Sequence, residues 1–574
     1  MAVDVIVVGG GPVGLLLACE LRLAGAGVLV LEAATGGQRR TRSLGLRSLN
    51  ERTVQSLALR GLAEPLAAEQ WAMLDELAGR PGPAGADVVA LMLELLRKGQ
   101  VKGHFSGLPL LSEAGTAQYL MLRQDRLESI LAARAAELGV PVWEGCTVVD
   151  VAEEPAADFG GEPVAGVVAT LADGRVVRGA YLVGCDGGRS VVRKRSGFAF
   201  EGTPATMTGR TAVAELADPA AVTSSLRGPG GLVNLSLVPG EVATIEFDGG
   251  PAEDRDAPMT AEELGASLRR VTGREVVVDR LETGIRYSDN TRHADTYRKG
   301  RALLAGDAAH VHSPIGGQGL NLGLQDALNL GWKLALVARG LAPESLLDTY
   351  TAERHPVAAR VLRNTRAQVA LMRPGAQVEA LREVLAEVLE LPEAKRHFTG
   401  MADGTETDYA PGSADPRVGR FVPPLDLLDT DLLDTDLLDT GLSDTGLLET
   451  GQVGEARTAR GRLSGATEAL GDGRGLVVDL SGAPGIEGLL AAMKGHRDRV
   501  RLTRAALPAD VPVPGGVPAP GGVPVAAGGG GAVAGGASVL LVRPDGYVAW
   551  AGERDGLPEA LTTWFGPAGT RLVR

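Results

Sequence analysis

Three short clusters of glycine and acid hold the residue types in this 574-residue chain that could do chemistry. The first is Val5-Ile6-Val7-Val8-Gly9-Gly10-Gly11-Pro12-Val13-Gly14, a strand-like apolar run that breaks into glycines and then turns helical. At this spacing Gly9 permits a tight turn, Gly11 lets a pyrophosphate approach bare backbone, and Gly14 allows the following helix to pack closely on the sheet. The unpaired N–H groups and positive dipole end of a helix from Pro12 to Leu23 would hold the phosphates without any charged side chain. A second strand, Gly27 to Leu31, ends in Glu32, where a βαβ unit places the carboxylate that accepts hydrogen bonds from ribose hydroxyls. An acid there suits an adenosine ribose without a 2′-phosphate, so FAD or NAD fits better than NADP.

The second cluster is Leu182-Val183-Gly184-Cys185-Asp186-Gly187-Gly188-Arg189-Ser190, in which an apolar strand delivers Asp186 to a Gly-Gly turn. By itself this is either a functional site or an ordinary strand-turn-helix corner. The third and longest runs from Gly300 to Asn321: a buried strand, Ala302 to Ala305, presents Asp307, and Pro314-Ile315-Gly316-Gly317-Gln318-Gly319-Leu320-Asn321 then opens a long helix. Backbone donors at a helix start favour negative charge or a polarised carbonyl. His310 and His312 stand two apart on a loop with no Cys or carboxylate cluster, so no metal is expected.

The elements between these clusters must position them. A polar basic loop, Gly36 to Ser43, is followed by a helical pattern through Leu49, Val54, Leu57 and Leu59. The apolar spacing predicts a helix over Ala86 to Gly103 and another over Leu127 to Leu138. Gln124 precedes the latter at a strand-to-helix junction, where it either meets a cofactor or caps the helix. Val140 to Val151, Val164 to Leu171 and Arg175 to Val183 have strand character, with Asp173-Gly174 a hairpin turn between the last two. Alternating strands from Thr206 to Asp248, a helix from Ala261 to Val271 and a segment from Glu275 to Leu281 predict a second, antiparallel domain inserted between pieces of the first.

Net charge of −14 argues against a nucleic-acid partner, which clustered Lys and Arg would hold. The N-terminal apolar run lacks preceding positive charge and contains Asp4, so it does not read as a signal peptide. No apolar stretch is long enough for a membrane span. Only Cys19, Cys146 and Cys185 are present, without metal-ligand spacing, which fits a reducing compartment. A soluble cytoplasmic protein of about three domains is expected.

Taken together, Gly9 to Gly14 with Glu32, Cys185-Asp186-Gly187, and Gly306-Asp307 with Pro314 to Asn321 resemble the FAD-dependent aromatic hydroxylases of the para-hydroxybenzoate hydroxylase fold, in the branch that tailors aromatic polyketides. Trp332-Lys333-Leu334-Ala335 and Tyr350-Thr351-Ala352-Glu353-Arg354-His355-Pro356 agree with it. The resemblance implies an α/β fold: a Rossmann-like FAD-binding domain, a sheet-based substrate domain and a C-terminal thioredoxin-like domain. It implies that Gly9, Gly11, Pro12, Gly14 and Glu32 hold the ADP half of FAD. Asp186 lies near the pyrophosphate, Asp307 meets the ribityl chain, and Pro314, Gly316, Gly317, Gly319, Leu320 and Asn321 border the isoalloxazine. Arg42 and Gln124 become FAD contacts by the same resemblance. By the same resemblance NAD(P)H is a transient co-substrate, and oxygen from O₂ passes from a flavin C4a-hydroperoxide to a small-molecule aromatic substrate, a polycyclic aromatic polyketide, with hydroxylation ahead of epoxidation or Baeyer–Villiger insertion. No catalytic side chain is nominated, because the cofactor carries the difficult chemistry.

The implied domains are 1–70, 104–200 and 282–370 for FAD, 71–103 and 201–281 for substrate, and 371–426 as a helical connector. Five copies of an acidic pentapeptide fill 427–451, with a period matching neither helix nor strand and a spacing unlike a calcium loop. Residues 452–574 form the thioredoxin-like part, in which Val511 to Gly536 is a Pro/Gly-rich loop. No cysteine follows Cys185, so thiol redox work is excluded and a packing or homodimer contact is expected. Two departures from the family pattern, at Gly284-Ile285-Arg286-Tyr287 and in a long Trp71 to Gly103 segment, fall in substrate territory. A halogenase is disfavoured because the five tryptophans stand apart. A flavoenzyme catalysing rearrangement without oxygen insertion and a flavin-binding interaction protein are the remaining rivals.

Overall fold

The computed structural model describes residues 2–36, 44–78, 86–112, 115, 117–158, 163–219, 222, 226–235, 238, 240–251, 257–427, 469–482, 486–506 and 537–569. Arg42, the pentapeptides beyond Leu427 and the Val511 to Gly536 loop lie outside them.

The first sheet grows from the strand Ala2–Val8, whose Val5, Ile6 and Val7 have no exposed surface. It pairs in parallel with Val28–Leu31 on one side and Val176–Gly184 on the other, and Ala302–Leu304 continues the parallel order. Val142–Trp143 extends the far edge, while Pro163–Leu171 and Val148–Asp158 add on antiparallel. Near-continuous apolar strands are what a sheet buried on both faces requires. The helices Pro12–Leu23 and Gln318–Ala338 pack together against it, the second being buried along almost its whole length.

The second sheet is antiparallel, in the order Leu226–Gly228, Gly231–Leu235, Glu241–Glu246, Thr208–Leu216, Val278–Ser288. Its last strand pairs with Thr208–Leu216 as far as Ser288, past the residue 281 at which the substrate domain was expected to end. Helix Ala261–Thr272 covers one face: Thr244 Oγ1 bonds Ser267 Oγ at 2.8 Å, and the Ser267 hydroxyl donates to Glu246 Oε2 at 2.6 Å. Strand alternation therefore turns Glu241, Ala243 and Ile245 to the other face.

Three expectations shift. The helix predicted over Ala86 to Gly103 stops at Arg97, because Gly99 adopts φ +60° and its amide bonds back to Leu96. A hairpin, Val101–Phe105 with Leu108–Leu111, follows it. Leu46–Leu49 is a strand against Leu120–Arg123, not the start of a helix. The predicted strand Val140 to Val151 is split by Gly145, at φ +69°, so that the Cys146 amide can bond Glu32 O.

The C-terminal sheet has the order Asp426–Leu427, Val500–Ala506, Gly475–Asp479, Val539–Val542, Val548–Gly552, parallel only between its second and third strands. With helices Glu487–Ala492 and Leu557–Phe565 it forms the thioredoxin-like unit. This unit docks through buried charge. Arg543 pairs with Asp545 and with Glu353 Oε1 at 2.7 Å, Lys333 Nζ reaches Glu353 Oε2 at 2.8 Å, and Arg60 joins Glu20 to Pro544 O. Burial alone would raise the Glu353 carboxyl, but Arg543 and Lys333 outweigh it and hold it at about 2. Burial also pulls the Lys333 ammonium down to about 8, against its bond to Glu353, which leaves it charged at neutral pH.

Arg543→Met strips Glu353 and Asp545 of a shared partner, and the expected cost is about 3–5 kcal/mol, read by urea denaturation at pH 7. The Glu353 contribution is fully present above its ordinary value of 4.5 and is lost as pH falls through about 2. Glu353→Gln should flatten that acid limb of the stability curve; an unaltered limb would refute the assignment.

Candidate functional site

The parallel register brings Val8, Gly184 and Leu304 to one end of three adjacent strands, and the three clusters start there together. This is the end of an open α/β sheet at which ligands bind. Cys185 N donates to Val8 O at 2.8 Å and Ala305 N to Gly184 O at 3.0 Å, so the three chain exits are stitched side by side.

Each glycine of the first cluster has its own steric reason. Gly9 sits at φ +106°, where a Cβ would lie 2.4 Å from Cys185 O. A Cβ on Gly14 would fall 1.9 Å from Gly9 O, so helix and turn touch through bare backbone. Beside Gly11 a Cβ would meet nothing within 4 Å; that glycine faces open space. Pro12 begins the helix, whose first turn has no side-chain cap and no acid. Glu32 is buried, its Oε2 accepting the Gly10 N–H at 2.6 Å and its Oε1 the Ala34 N–H at 2.7 Å. The acid thus locks the glycine turn.

Asp186 does structural work first: its Oδ2 accepts the amides of Val191 (2.7 Å) and Val192 (3.1 Å) and starts the helix Val191–Arg195. Burial raises its carboxyl, although these bonds oppose the shift. Arg193 then links the second cluster to the third, donating to Gly188 O at 2.8 Å and to Ala308 O at 2.9 Å. Asp307 lies on a short 3-10 turn, Gly306–Ala308. Its side chain reaches solvent, yet protein crowds it enough that desolvation raises its carboxyl, an effect His310 and Arg47 offset only in part. Among the described residues, none donates a hydrogen bond to it.

The turn beyond it runs through exposed Pro314 to Gly316 (φ +89°) and Gly317 (φ +63°), where the long helix begins without a side-chain cap. A Cβ on Gly317 would strike Ser48 Oγ, and one on Gly319 would touch His312 Nε2. Leu320 is half-buried against the first core. Asn321 is a staple: its Oδ1 accepts the Asn50 amide and its Nδ2 donates to Ser48 O and Gly317 O.

Gln124 caps nothing. It is the first residue of its helix, and its amide is spent on Arg47 Nε (3.0 Å) and Glu128 (2.8 Å). Sequence reasoning missed the groups around it. Arg47 lies on the strand after the basic loop, near Asp307, Glu241 and Tyr287, with burial pulling its guanidinium down. Glu241 accepts the Gly45 amide on Oε1, while its buried Oε2 has no partner. Half-buried His312 is pushed down to about 4 by desolvation and is neutral, so with Nδ1 on Ser313 O its buried Nε2 remains an unpaired acceptor. Only a period-two alternation across Glu241 to Phe247 could have pointed to Glu241, and nothing local marks His312 as different from His310.

These residues fit a nucleotide with a polar chain and a ring system: bare backbone and open space at Gly11, an anchored acid at Glu32, an unengaged carboxylate at Asp307 and an uncapped helix start at Gly317. Among the described residues no group of three or more His, Cys, Asp or Glu is placed to hold a metal. No described helix is long and apolar enough to cross a membrane. A surface cavity of about 470 Å³ lined by Glu153, Arg195, Lys299 and Gly300 includes none of the candidate residues.

Residues 2–365 match the model of the FAD binding domain family, and residues 452–568 that of the aromatic-ring hydroxylase C-terminal family. A 12-dehydrotetracycline 5-monooxygenase/anhydrotetracycline 6-monooxygenase of Streptomyces rimosus is 36% identical, with 99% of each chain covered. A dialkyldecalin synthase of Streptomyces rugosporus is 32% identical over 99% of this chain and 100% of its own. The solved anhydrotetracycline hydroxylase from Streptomyces rimosus superposes with a TM-score of 0.72 at 34% identity, covering 99% of this chain and 100% of the other.

Gly11→Ala and Gly14→Ala should separate binding from folding. The first has room for its methyl and an ordinary φ of −72°, so it should keep its melting temperature and lose about tenfold or more in FAD affinity, measured by flavin fluorescence. Gly14→Ala should instead destabilise the apoprotein by about 1–3 kcal/mol.

Proposed function

This chain belongs to the FAD-dependent aromatic-ring hydroxylases, the flavoprotein monooxygenases, and on that premise we propose that it inserts one oxygen atom from O₂ into a polycyclic aromatic polyketide at the expense of NAD(P)H. The balance is substrate, O₂, NAD(P)H and a proton giving hydroxylated substrate, NAD(P)⁺ and water. FAD, when bound, supplies the passage of electrons from NAD(P)H to O₂.

In this reading the pyrophosphate would lie against the bare backbone of Gly11 at the amide-rich start of the helix, with Gly9 making the turn, Pro12 opening the helix and Gly14 packing it on the sheet, and Glu32 would take the adenosine ribose. Asp186 keeps the neighbouring helix in place. Asp307 accepts from the ribityl hydroxyls, and the Pro314 to Leu320 turn, stapled by Asn321, borders the ring. Gln124 acts through Arg47, and Arg42, outside the described residues, is assigned to FAD by the family resemblance. A homodimer contact is assigned to the C-terminal unit.

One observation carries the substrate assignment. Ile315, in the turn beside the ring position, packs with Met207 and Val369 and with Ile245, Phe247, Tyr287 and Met372. That cluster joins the face of the second sheet opposite helix Ala261–Thr272 to the turn, giving a mostly aliphatic wall with Arg47 and Glu241 at a polar end. A flat multi-ring ligand with hydroxyl or carbonyl groups on one edge fits such a wall. Tyr287 occupies the place left by Gly209, where any Cβ would collide with its ring. Arg286, in the same Gly284 to Tyr287 departure from the family pattern, is turned to the covered side, where it pairs with Glu263.

The dialkyldecalin synthase likeness favours a second reading, in which the same fold holds FAD and catalyses ring formation without oxygen insertion. The two predict different consumption. Incubation with multi-ring quinones and phenols should give substrate-dependent NAD(P)H oxidation and a product one oxygen atom heavier, with label from ¹⁸O₂. Product formation without NAD(P)H or O₂ use would support the second reading, and no turnover across the panel would sink the first.

A further inference from the structure

Asp326 lies on the long helix with no exposed surface. Its Oδ2 accepts the Gly306 amide at 3.1 Å and bonds His310 Nε2 at 2.7 Å, so one oxygen grips the chain on both sides of Asp307. Its Oδ1 accepts Arg354 Nε at 2.8 Å. Burial would raise the Asp326 carboxyl, but Arg354 and His310 outweigh it and hold it below its ordinary value. An ionised carboxylate is acceptor-only, which is what two converging N–H donors require.

The grip has an outer end. Arg354, also fully buried, donates to Leu322 O at 3.0 Å and to Tyr409 OH at 3.0 Å. The Tyr409 ring lies 4.3 Å from that of Tyr547, on the turn between two strands of the C-terminal sheet, and the Arg543 guanidinium lies 5.2 Å above it. A pair present only for packing would need Arg354 and Asp326 alone. The second oxygen of Asp326 is committed to the Gly306–His310 segment instead.

We propose that Asp326 is the positioning residue for Asp307, and that Arg354 and Tyr409 make this positioning depend on the docked C-terminal sheet. The inference rests on the reading of Asp307 as a contact to the flavin chain. It gives the thioredoxin-like unit, which has no cysteine, a role at the cofactor.

The test is a double-mutant cycle in the full-length protein, reading the FAD dissociation constant by flavin fluorescence and the absorption bands of the saturated holoprotein. Asp307→Asn and Asp326→Asn should each weaken FAD about tenfold or more, and the double variant should be no weaker than the worse single one. Asp326→Asn should also shift the flavin bands at saturation, which a general loss of stability would not do. Weakening by the same factor with or without Asp307→Asn, or unshifted bands, overturns the proposal. If Asp307→Asn alone leaves FAD affinity unchanged, the underlying reading of Asp307 fails and the proposal falls with it. Should Asp326→Asn not fold, Tyr409→Phe keeps the ring stack and removes one acceptor. It should weaken FAD roughly two- to tenfold, and only while Asp307 is present; a loss that persists in the Asp307→Asn background overturns the proposal.

Discussion

Backbone approaching backbone, with no side chain between, is the constraint on which this site rests. Three parallel strands end at one level, and their loops must share the small area above them. They manage it because Gly9 meets Cys185 O, Gly14 meets Gly9 O, and Gly323 meets Gly306 where a Cβ would lie 1.9 to 3.1 Å from its neighbour. Such approach leaves amide donors facing the cleft rather than covered by side chains. A single methyl at Gly14 would lift the helix off the sheet and move every donor that depends on it.

Charge plays the complementary part away from the cleft. Arg60, Glu20, Lys333, Glu353, Arg543 and Asp545 are buried where the C-terminal unit meets the helices that flank the first sheet. Desolvating these groups is costly, and the set is tolerable because each carboxylate receives short charge-assisted bonds. Losing one member would leave its partners charged in a dry environment. That makes docking of the C-terminal unit close to all-or-none, and it holds Tyr409 and Tyr547 against Arg354. The same helix carries Asp326 and Lys333, so the network around the Gly306–His310 segment and the docking network share one element.

The two sheets divide the labour by their strand patterns. In the first, apolar residues run almost continuously through the central strands because both faces are covered. In the second, alternation sends Thr244 and Glu246 to helix Ala261–Thr272 and leaves Ile245 and Phe247 for the cleft. Ile315 is the point at which the turn of the third cluster meets that second face. The polar pair Arg47 and Glu241 and the aliphatic wall of Ile245, Ile315 and Val369 therefore come from widely separated parts of the chain.

Much of this was written locally. The glycine spacing at Gly9 to Gly14, the acid at Glu32, the hairpin turn at Asp173-Gly174 and the start of the long helix after Gly317 follow from short-range sterics and backbone hydrogen bonding, which neighbouring residues determine. The end of the helix at Arg97 and the strand at Leu46–Leu49 were misjudged because a glycine turn and a pairing with Leu120–Arg123 outweighed apolar spacing. What only the tertiary structure decided is which groups meet: Arg193 joining Gly188 to Ala308, Asp326 gripping both sides of Asp307, Gln124 bound to Arg47, Glu241 brought to Gly45. Those contacts arise from strand register and sheet order, and register is set by burial over the whole domain rather than by any one stretch.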